Sequence, residues 1–339
     1  MPETQCMNKI ETEEKKETKE IKMTNSFVFK PITIEKKALI ESYTKPWGAE
    51  CSDLSFANMF IWGTDRKMEY AEKDNVLYIK LDFKRVPVYF WAPVPKFGVE
   101  INYRKAVYDA IDYMKKCGVE PTFRSVSAPF CEMMKKACPE LFVQPTDIAW
   151  DYVYEREKLE TLKGKKLHAK RNHINKFLSL YPDYEYKKLD SSMIQHCMAL
   201  YDQWQEEKEE ESAELKEERK SVLLALNHMK ELALDGGSIF IDGKLVAFTV
   251  GERLQPHMKL VHIEKAEASY GGIYPMINQQ YVKNECMDVE LINREEDMGI
   301  EGMRKAKRAY YPVKMIEKYM FSLHDLSNTK GIWGREYEN

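Results

Sequence analysis

Residues 237–252, GSIFIDGKLVAFTVGE, constrain the architecture more tightly than any other stretch of this chain. Two runs rich in apolar and β-branched residues flank Asp242–Gly243, a dipeptide that supplies the two adjacent positive-φ positions of a type I′ turn. The stretch therefore reads as a β-hairpin. MKLVHIEKA (258–266) follows as a third strand, GIYPMINQQYVKNEC (272–286) as a helix and DVELIN (288–293) as a strand. A helix around 300–311 and a last strand, VKMIEKYMFSL (313–323), complete the series. Ahead of the hairpin, LHAKRNHINKFLSLY (167–181), SSMIQHCMALYDQWQEE (191–207) and RKSVLLALNHMKELALD (219–235) have helical spacing. A hairpin that runs into strand–helix–strand alternation calls for an antiparallel or mixed sheet with helices on its faces.

The first half repeats that logic from Phe27 onward. SDLSFANMFIWG (52–63) reads as a Ser/Asp-capped buried helix. NVLYIKL (75–81) and PVYFWAPV (87–94) are strand-like, and YRKAVYDAIDYMKKCG (103–118) is an amphipathic helix with Gly118 as its stop signal. PTFRSVSA (121–128), PFCEMMKKAC (129–138) and DIAWDYVYERE (147–157) read as strand, Pro-initiated helix and strand. The expected division is a tail at 1–23, a first α/β unit at 24–158, a second at 159–330 and a tail at 331–339. Residues 1–22 carry six Glu and five Lys with almost nothing to bury, which is a disordered composition, and Met23 is a candidate second start.

Charge and cysteine usage exclude several classes. The formal net charge of −3 leaves no global basic footprint for nucleic acid, so any anion site is a local patch. Seven Cys are scattered without a C-x-x-C pair, which favours reduced thiols in a cytoplasm over disulfides or a zinc knuckle. The histidines show no metal spacing, and no Ser–His–Asp set or P-loop is present. No apolar run is long enough to span a bilayer, and the N-terminus lacks the apolar core of a signal peptide. The acid-rich EEKEEESAELKEE (206–218) reads as a solvated helix face or loop.

Two basic segments stand out against this background. With Ile300 at 0° on a helical wheel, Lys307 lands at about 340°, inside the arc of Met303, Tyr310 and Tyr311. An ammonium there is paired, snorkelling, or aimed into a polar cleft, since a buried unpaired charge is prohibitively costly. Residues 163–188 hold eight Lys/Arg against two acids, with Lys170 inside the apolar arc of that helix and Arg171 at its rim. Such a patch suits an anionic partner such as tRNA, a lipid headgroup or a phosphorylated ligand, or it simply offsets the acids at 206–218.

At these residues the chain resembles known families. KRNHINKF (170–177) resembles the K-x-R-x-N-I element of Fem-type peptidoglycan aminoacyltransferases, with the Arg–Asn spacing shifted by one. GIEGMRKAKRAYYP (299–312) resembles their G-L-x-x-F-K-x-x-F-G motif, which puts Lys307 on the family's lysine. Residues 24–330 look closer still to a bacterial family of unknown function allied to the phosphatidylglycerol lysyltransferase C-terminal domain. Its N-R-E-E-D-x-G-I-E-G-L-R-K-A-K and Y-x-x-x-Y-x-M-I-N-Q patterns appear here as Asn293–Lys307 and Tyr270–Gln279. The resemblance implies an α/β (α+β) chain of two tandem GNAT-like domains, each a mixed sheet flanked by helices, with the site in the second.

That fold would place a donor-binding loop after the strand 258–264, at AEASYGGIYP (266–275). No Gln or Arg stands three residues before Gly271 or Gly272, which departs from the acetyl-CoA pattern; the alternative is a plain helix-entry turn. The resemblance and the residues together give Glu264 and Lys307 as catalytic candidates, Glu264 as a general base for an attacking amine or hydroxyl. Lys170, Arg171, Tyr270, Gly271, Gly272, Asn278, Asn293, Arg294, Glu295, Asp297 and Arg304 are candidates for binding donor or substrate. Asp297 has a competing role as a helix cap. The expected activity is aminoacyl transfer from aminoacyl-tRNA, or from a related donor such as an acyl-CoA, to a lipid or peptide acceptor. The alternative is a non-enzymatic module for an anionic ligand or protein, its cleft filled by Tyr270 or Tyr274. No metal or redox cofactor is implied, and the sequence leaves the oligomeric state open.

Overall fold

The computed structural model describes residues 27–63, 66–82, 86–206 and 213–326. The expected tails at 1–23 and 331–339 and the centre of the acidic run, 207–212, lie outside them. In the first half, β1 (Lys30–Pro31), α1 (Lys37–Thr44) and α2 (Phe56–Gly63) precede the hairpin β2 (Met68–Lys73) and β3 (Val76–Leu81). Asp74 and Asn75 both have positive φ, +52° and +59°, and make its two-residue turn. The aromatic run after it yields only β4 (Tyr89–Phe90) and β5 (Val94–Pro95). Asn102 caps α3 (Tyr103–Lys116) by accepting the Lys105 amide at 2.9 Å, and Gly118 ends it at φ +74°. Then come β6 (Thr122–Ser127), α4 (Ala128–Ala137) and β7 (Phe142–Pro145).

The second half opens with β8 (Asp151–Glu155), α5 (Arg156–Thr161), α6 (His168–Leu180), β9 (Glu185–Lys188), α7 (Ile194–Glu206), α8 (Ala213–Asn227) and α9 (Met229–Leu232). The expected hairpin is present as β10 (Leu234–Ile241) and β11 (Lys244–Gln255), with Asp242 at φ +50° and Gly243 at φ +78°. β12 (Met258–Ala266), α10 (Ile273–Glu285), β13 (Leu291–Asn293), α11 (Glu301–Arg308), β14 (Lys314–Ile316) and β15 (Lys318–Ser322) follow. One sheet has the order β1-β2-β3-β4-β6-β15-β7 with β5 also on β3; the other runs β14-β8-β13-β12-β11-β10-β9. Each sheet mixes antiparallel pairs with one parallel pair, β4 with β6 and β12 with β13. The arrangement is the α/β class expected from the sequence, two mixed sheets flanked by helices.

The two halves exchange strands. β8, which precedes the expected boundary, lies in the second sheet between β13 and β14. The terminal run divides at Glu317: β14 stays in the second sheet, while β15 crosses to the first and pairs with β6 and β7. Sheet membership therefore does not follow a single cut at 158. At this crossing Lys318, 1% exposed, meets Asp53 at 2.5 Å and the fully buried Asp151 at 2.7 Å. Asp151 also accepts the Ser52 amide and hydroxyl and the Asn293 side-chain amide, so first-half residues complete the shell of a second-sheet carboxylate. Burial opposes the Lys318 charge, but Asp151 and Asp53 outweigh it and hold its pKa well above the usual value.

Removing one partner of a buried pair strands the other charge, at a cost of about 3–5 kcal/mol. Lys318→Met should lower unfolding stability by about 3 kcal/mol or more in urea titrations. A loss under about 1 kcal/mol would contradict the pairing described here.

Candidate active site

The second sheet opens where its parallel strands part. β12 and β13 pair only through Met258–Leu291, Lys259–Ile292 and Leu260–Asn293. β12 then runs on to Ala266, while the chain beyond Asn293 turns at Glu295, whose φ is +54°. Backbone hydrogen bonds no longer join the two, so side chains do. His262 and Glu264 both reach the 294–295 segment, His262 from the irregularity where β12 slips register against β11 between Val261 and Ile263. His262 Nδ1 lies 2.9 Å from Glu295 Oε1, and Arg294 Nη2 donates to Glu264 Oε1 at 3.0 Å.

The Glu264–Arg294 end is the chemically loaded one. Asn278, buried on α10, points its amide at the other Glu264 oxygen at 3.4 Å. The Arg294 guanidinium carbon lies 5.1 Å from the Tyr310 ring centroid and 5.9 Å from that of Tyr154. Lys170 Nζ, reaching in from α6, lies 4.2 Å from the same Tyr310 ring. Burial, and then the nearby Arg294 charge, lower the Lys170 pKa. Burial also raises the Tyr310 phenol to about 12. Arg294 is only 12% exposed, and its Nη1 is buried with no hydrogen-bond partner of good geometry, although the Tyr310 hydroxyl is near enough to act on the guanidinium both through charge and as a hydrogen-bonding neighbour. Two cations thus share one ring beside a single carboxylate that one of them already engages.

Lys307 builds the segment that carries Arg294. Its ammonium donates to the carbonyls of Arg294 at 2.5 Å, Glu295 at 3.1 Å and Glu296 at 2.5 Å. An ammonium has three N–H donors, so all are used on three consecutive backbone acceptors. Burial pulls its pKa down to about 8. The answer to its place on the apolar arc is therefore a buried partner, but the partner is main chain rather than an acid or an open cleft. The Tyr152 amide adds a second bond to the Glu295 carbonyl, and Asn293 Oδ1 accepts the Glu295 amide at 2.8 Å. Asp297, fully buried, closes the far end: it accepts Gly299 N–H at 2.8 Å, the Tyr152 hydroxyl at 2.6 Å and Arg304 through both oxygens.

His262 ties the same segment to the first half. Its side chain is fully buried between Glu295 and Glu252, with Nε2 3.0 Å from Glu252 Oε1. Ser55 donates to Glu252 and Asn58 to Glu295, both from the first half of the chain. Burial pulls the imidazole toward neutrality, but hydrogen bonds to Glu252 and Glu295 prevail and raise its pKa to about 10. Burial is also the main force on Glu295, whose pKa is raised despite His262.

Comparison with known proteins assigns the chain. Residues 46–322 match the family described as phosphatidylglycerol lysyltransferase, C-terminal. The chain belongs to that family. A conserved protein of unknown function from Bacteroides thetaiotaomicron is similar in sequence and structure, at 34% identity and TM-score 0.80, covering 88% of this chain and 100% of that one. L-PGS from Bacillus licheniformis shares the fold, with TM-score 0.61 at 12% identity over 88% of this chain and 94% of that one. An uncharacterised protein of Mycoplasmoides gallisepticum is 26% identical over 175 residues, 50% of this chain. The match spans 55%, about half, of that curated relative. Among the described residues, no helix is long and apolar enough to cross a membrane.

In this member of the lysyltransferase C-terminal family, the sequence candidates sort into three groups. Lys170, Glu264, Asn278 and Arg294 come together at the opened strands. Asn293, Glu295, Asp297, Arg304 and Lys307 build and hold the segment behind them. Arg171, Tyr270, Gly271 and Gly272 lie apart. Arg171 donates to the Leu162 and Gly164 carbonyls and pins the turn before α6. Tyr270 packs on Tyr181 at 5.1 Å, and Tyr274 donates to the Ala266 carbonyl. Gly272, at φ +94°, begins α10 so tightly under α6 that a Cβ there would sit 2.3 Å from the His173 carbonyl oxygen. Sequence reasoning passed over Tyr154, Tyr310, His262 and Glu252. His262 carried one signal, a polar residue inside the apolar run 260–263, two positions before Glu264.

The His262 contribution has a definite pH signature. A raised folded-state pKa gives stability that is fully present below the unfolded value of about 6.5 and lost as pH rises through about 10. The destabilisation caused by His262→Gln should be largest near pH 6 and shrink toward pH 10 in denaturant titrations. A pH-independent loss would contradict a charged imidazole between the two glutamates.

Proposed function

We propose that the opened strands β12 and β13 form the active site of an acyltransferase that moves an aminoacyl group from aminoacyl-tRNA, or a related donor, to an amine or hydroxyl acceptor such as a lipid or peptide. One observation carries the reading: a carboxylate, a guanidinium with a free buried N–H and an ammonium converge at the ends of parallel strands. The family's description supports acyl transfer as the reaction class. Glu264, once Arg294 turns to the ligand, takes the proton from the acceptor as its nitrogen or oxygen attacks the acyl carbonyl carbon. Arg294 and Lys170 stabilise the negative charge that develops on the carbonyl oxygen. The ester C–O bond breaks, and the proton held by Glu264 passes to the leaving 3′-oxygen of the tRNA. Lys307 acts through position, fixing the carbonyl of Arg294 and the two that follow it.

The close packing of Gly272 beneath the His173 carbonyl favours a tRNA donor over CoA, whose pyrophosphate would need that helix start open. The direct test is transfer of labelled amino acids from a pool of charged tRNAs to lipid and peptide acceptors. Wild type should transfer, and Glu264→Gln should reduce the rate about 100-fold or more. An inactive wild type that still binds charged tRNA would instead mark a binding module. A fully active Glu264→Gln would remove that residue from the chemistry.

A further inference from the structure

We infer that the site selects by charge: Lys170 and Arg294 admit a neutral or acidic aminoacyl group and reject a cationic one such as lysyl. The inference rests on the acyl-transfer reading above and goes beyond it by assigning the class of acyl group. It also separates this chain from the substrate that its family's description names.

Bonding capacity is unevenly spread among the groups at the opened strands. Glu264 has one oxygen on Arg294 and faces Asn278 with the other. Along the neighbouring segment, Glu295 is taken by His262 and Asn58, Glu296 faces Lys318 at 3.6 Å, and Asp297 is taken by Arg304 and Tyr152. Each of these carboxylates has a cation within 4 Å. Two cationic donors keep bonding capacity to spare. Arg294 Nη1 is buried without a hydrogen-bond partner, and Lys170 has neither a carboxylate nor a hydrogen-bond acceptor among the described residues.

A cationic acyl side chain therefore meets two cations, and the one carboxylate between them, Glu264, is held by Arg294 or, once Arg294 turns to the ligand, takes up the acceptor's proton. Its other common refuge, an aromatic ring face, is also contested. Tyr310 already carries Lys170 at 4.2 Å and Arg294 at 5.1 Å, and Tyr154 carries Arg294 at 5.9 Å. Like charges a few ångströms apart in a half-buried site repel strongly, because little water screens them. A carbonyl, hydroxyl or carboxylate on the acyl group would instead satisfy the free N–H groups of Arg294 and Lys170. Specificity then comes as much from repulsion of the wrong group as from attraction of the right one.

The test uses the full chain and three amide-linked, non-transferable probes: 3′-amino-3′-deoxyadenosine carrying an alanyl, a glutamyl or a lysyl group, with binding measured by calorimetry. The alanyl or glutamyl probe should bind at least about tenfold more tightly than the lysyl probe. Equal or tighter binding of the lysyl probe overturns the charge selection and leaves acyl binding standing. Failure of all three to bind removes the acyl-transfer reading, and this inference with it. Lys170→Glu, or Lys170→Gln if the reversal does not fold, should erase at least about tenfold of the discrimination against the lysyl probe. An unchanged preference in a folded variant would overturn the role given to Lys170.

Discussion

An ammonium that spends its three N–H bonds on three consecutive carbonyls is the interaction on which the rest of the site depends. Lys307 makes those bonds to residues 294–296, where the chain leaves a sheet without entering a helix. Backbone there has lost its ladder partners and must find others if it is to be buried. Two non-glycine residues of the same segment, Glu295 and Met298, adopt positive φ, a conformation that persists only where the surroundings over-determine it. Lys307, Asn293 and Asp297 supply that over-determination, and the consequence is that Arg294 stands opposite Glu264.

The first half of the chain is part of this arrangement rather than an appendage to it. Strand β15 crosses into the first sheet one residue after β14 leaves the second, and the crossing is sealed by Lys318, Asp53 and Asp151. A second tie runs from Ser55 and Asn58 through Glu252, His262 and Glu295. Both ties end on the two residues that follow Arg294, Glu296 in one case and Glu295 in the other. Charged groups this deeply buried contribute little net stability by themselves, but they allow only one relative placement of their partners. Here that placement sets the gap between two strands in which the proposed chemistry occurs.

How much was legible in the sequence follows from whether a partner leaves a sequence trace. The Asp242–Gly243 hairpin was readable because its turn demands two positive-φ residues. The β2–β3 hairpin was only half readable, because Met68–Lys73, MEYAEK, lacks a strand's apolar alternation. The strand exchange was not readable, since residues 314–322 look like one strand and nothing local tells which sheet each end will join. Lys307 and Lys170 both announced themselves as cations on apolar arcs, and both are held inward. The Lys307 partners stayed hidden because main-chain carbonyls have no sequence signature. Tyr310 was hidden for the opposite reason, as an aromatic on an apolar arc is what any core would show.

Lys307 holds the segment after β13 and thereby the Arg294 side chain. Hydrogen–deuterium exchange of Lys307→Met, followed by mass spectrometry, tests that hold without requiring any substrate. The expected result is markedly faster exchange confined to peptides covering residues 293–300, with β11 and β12 as protected as in the wild type. Wild-type protection of 293–300 in that variant would contradict it, because the segment would then be held by something other than Lys307.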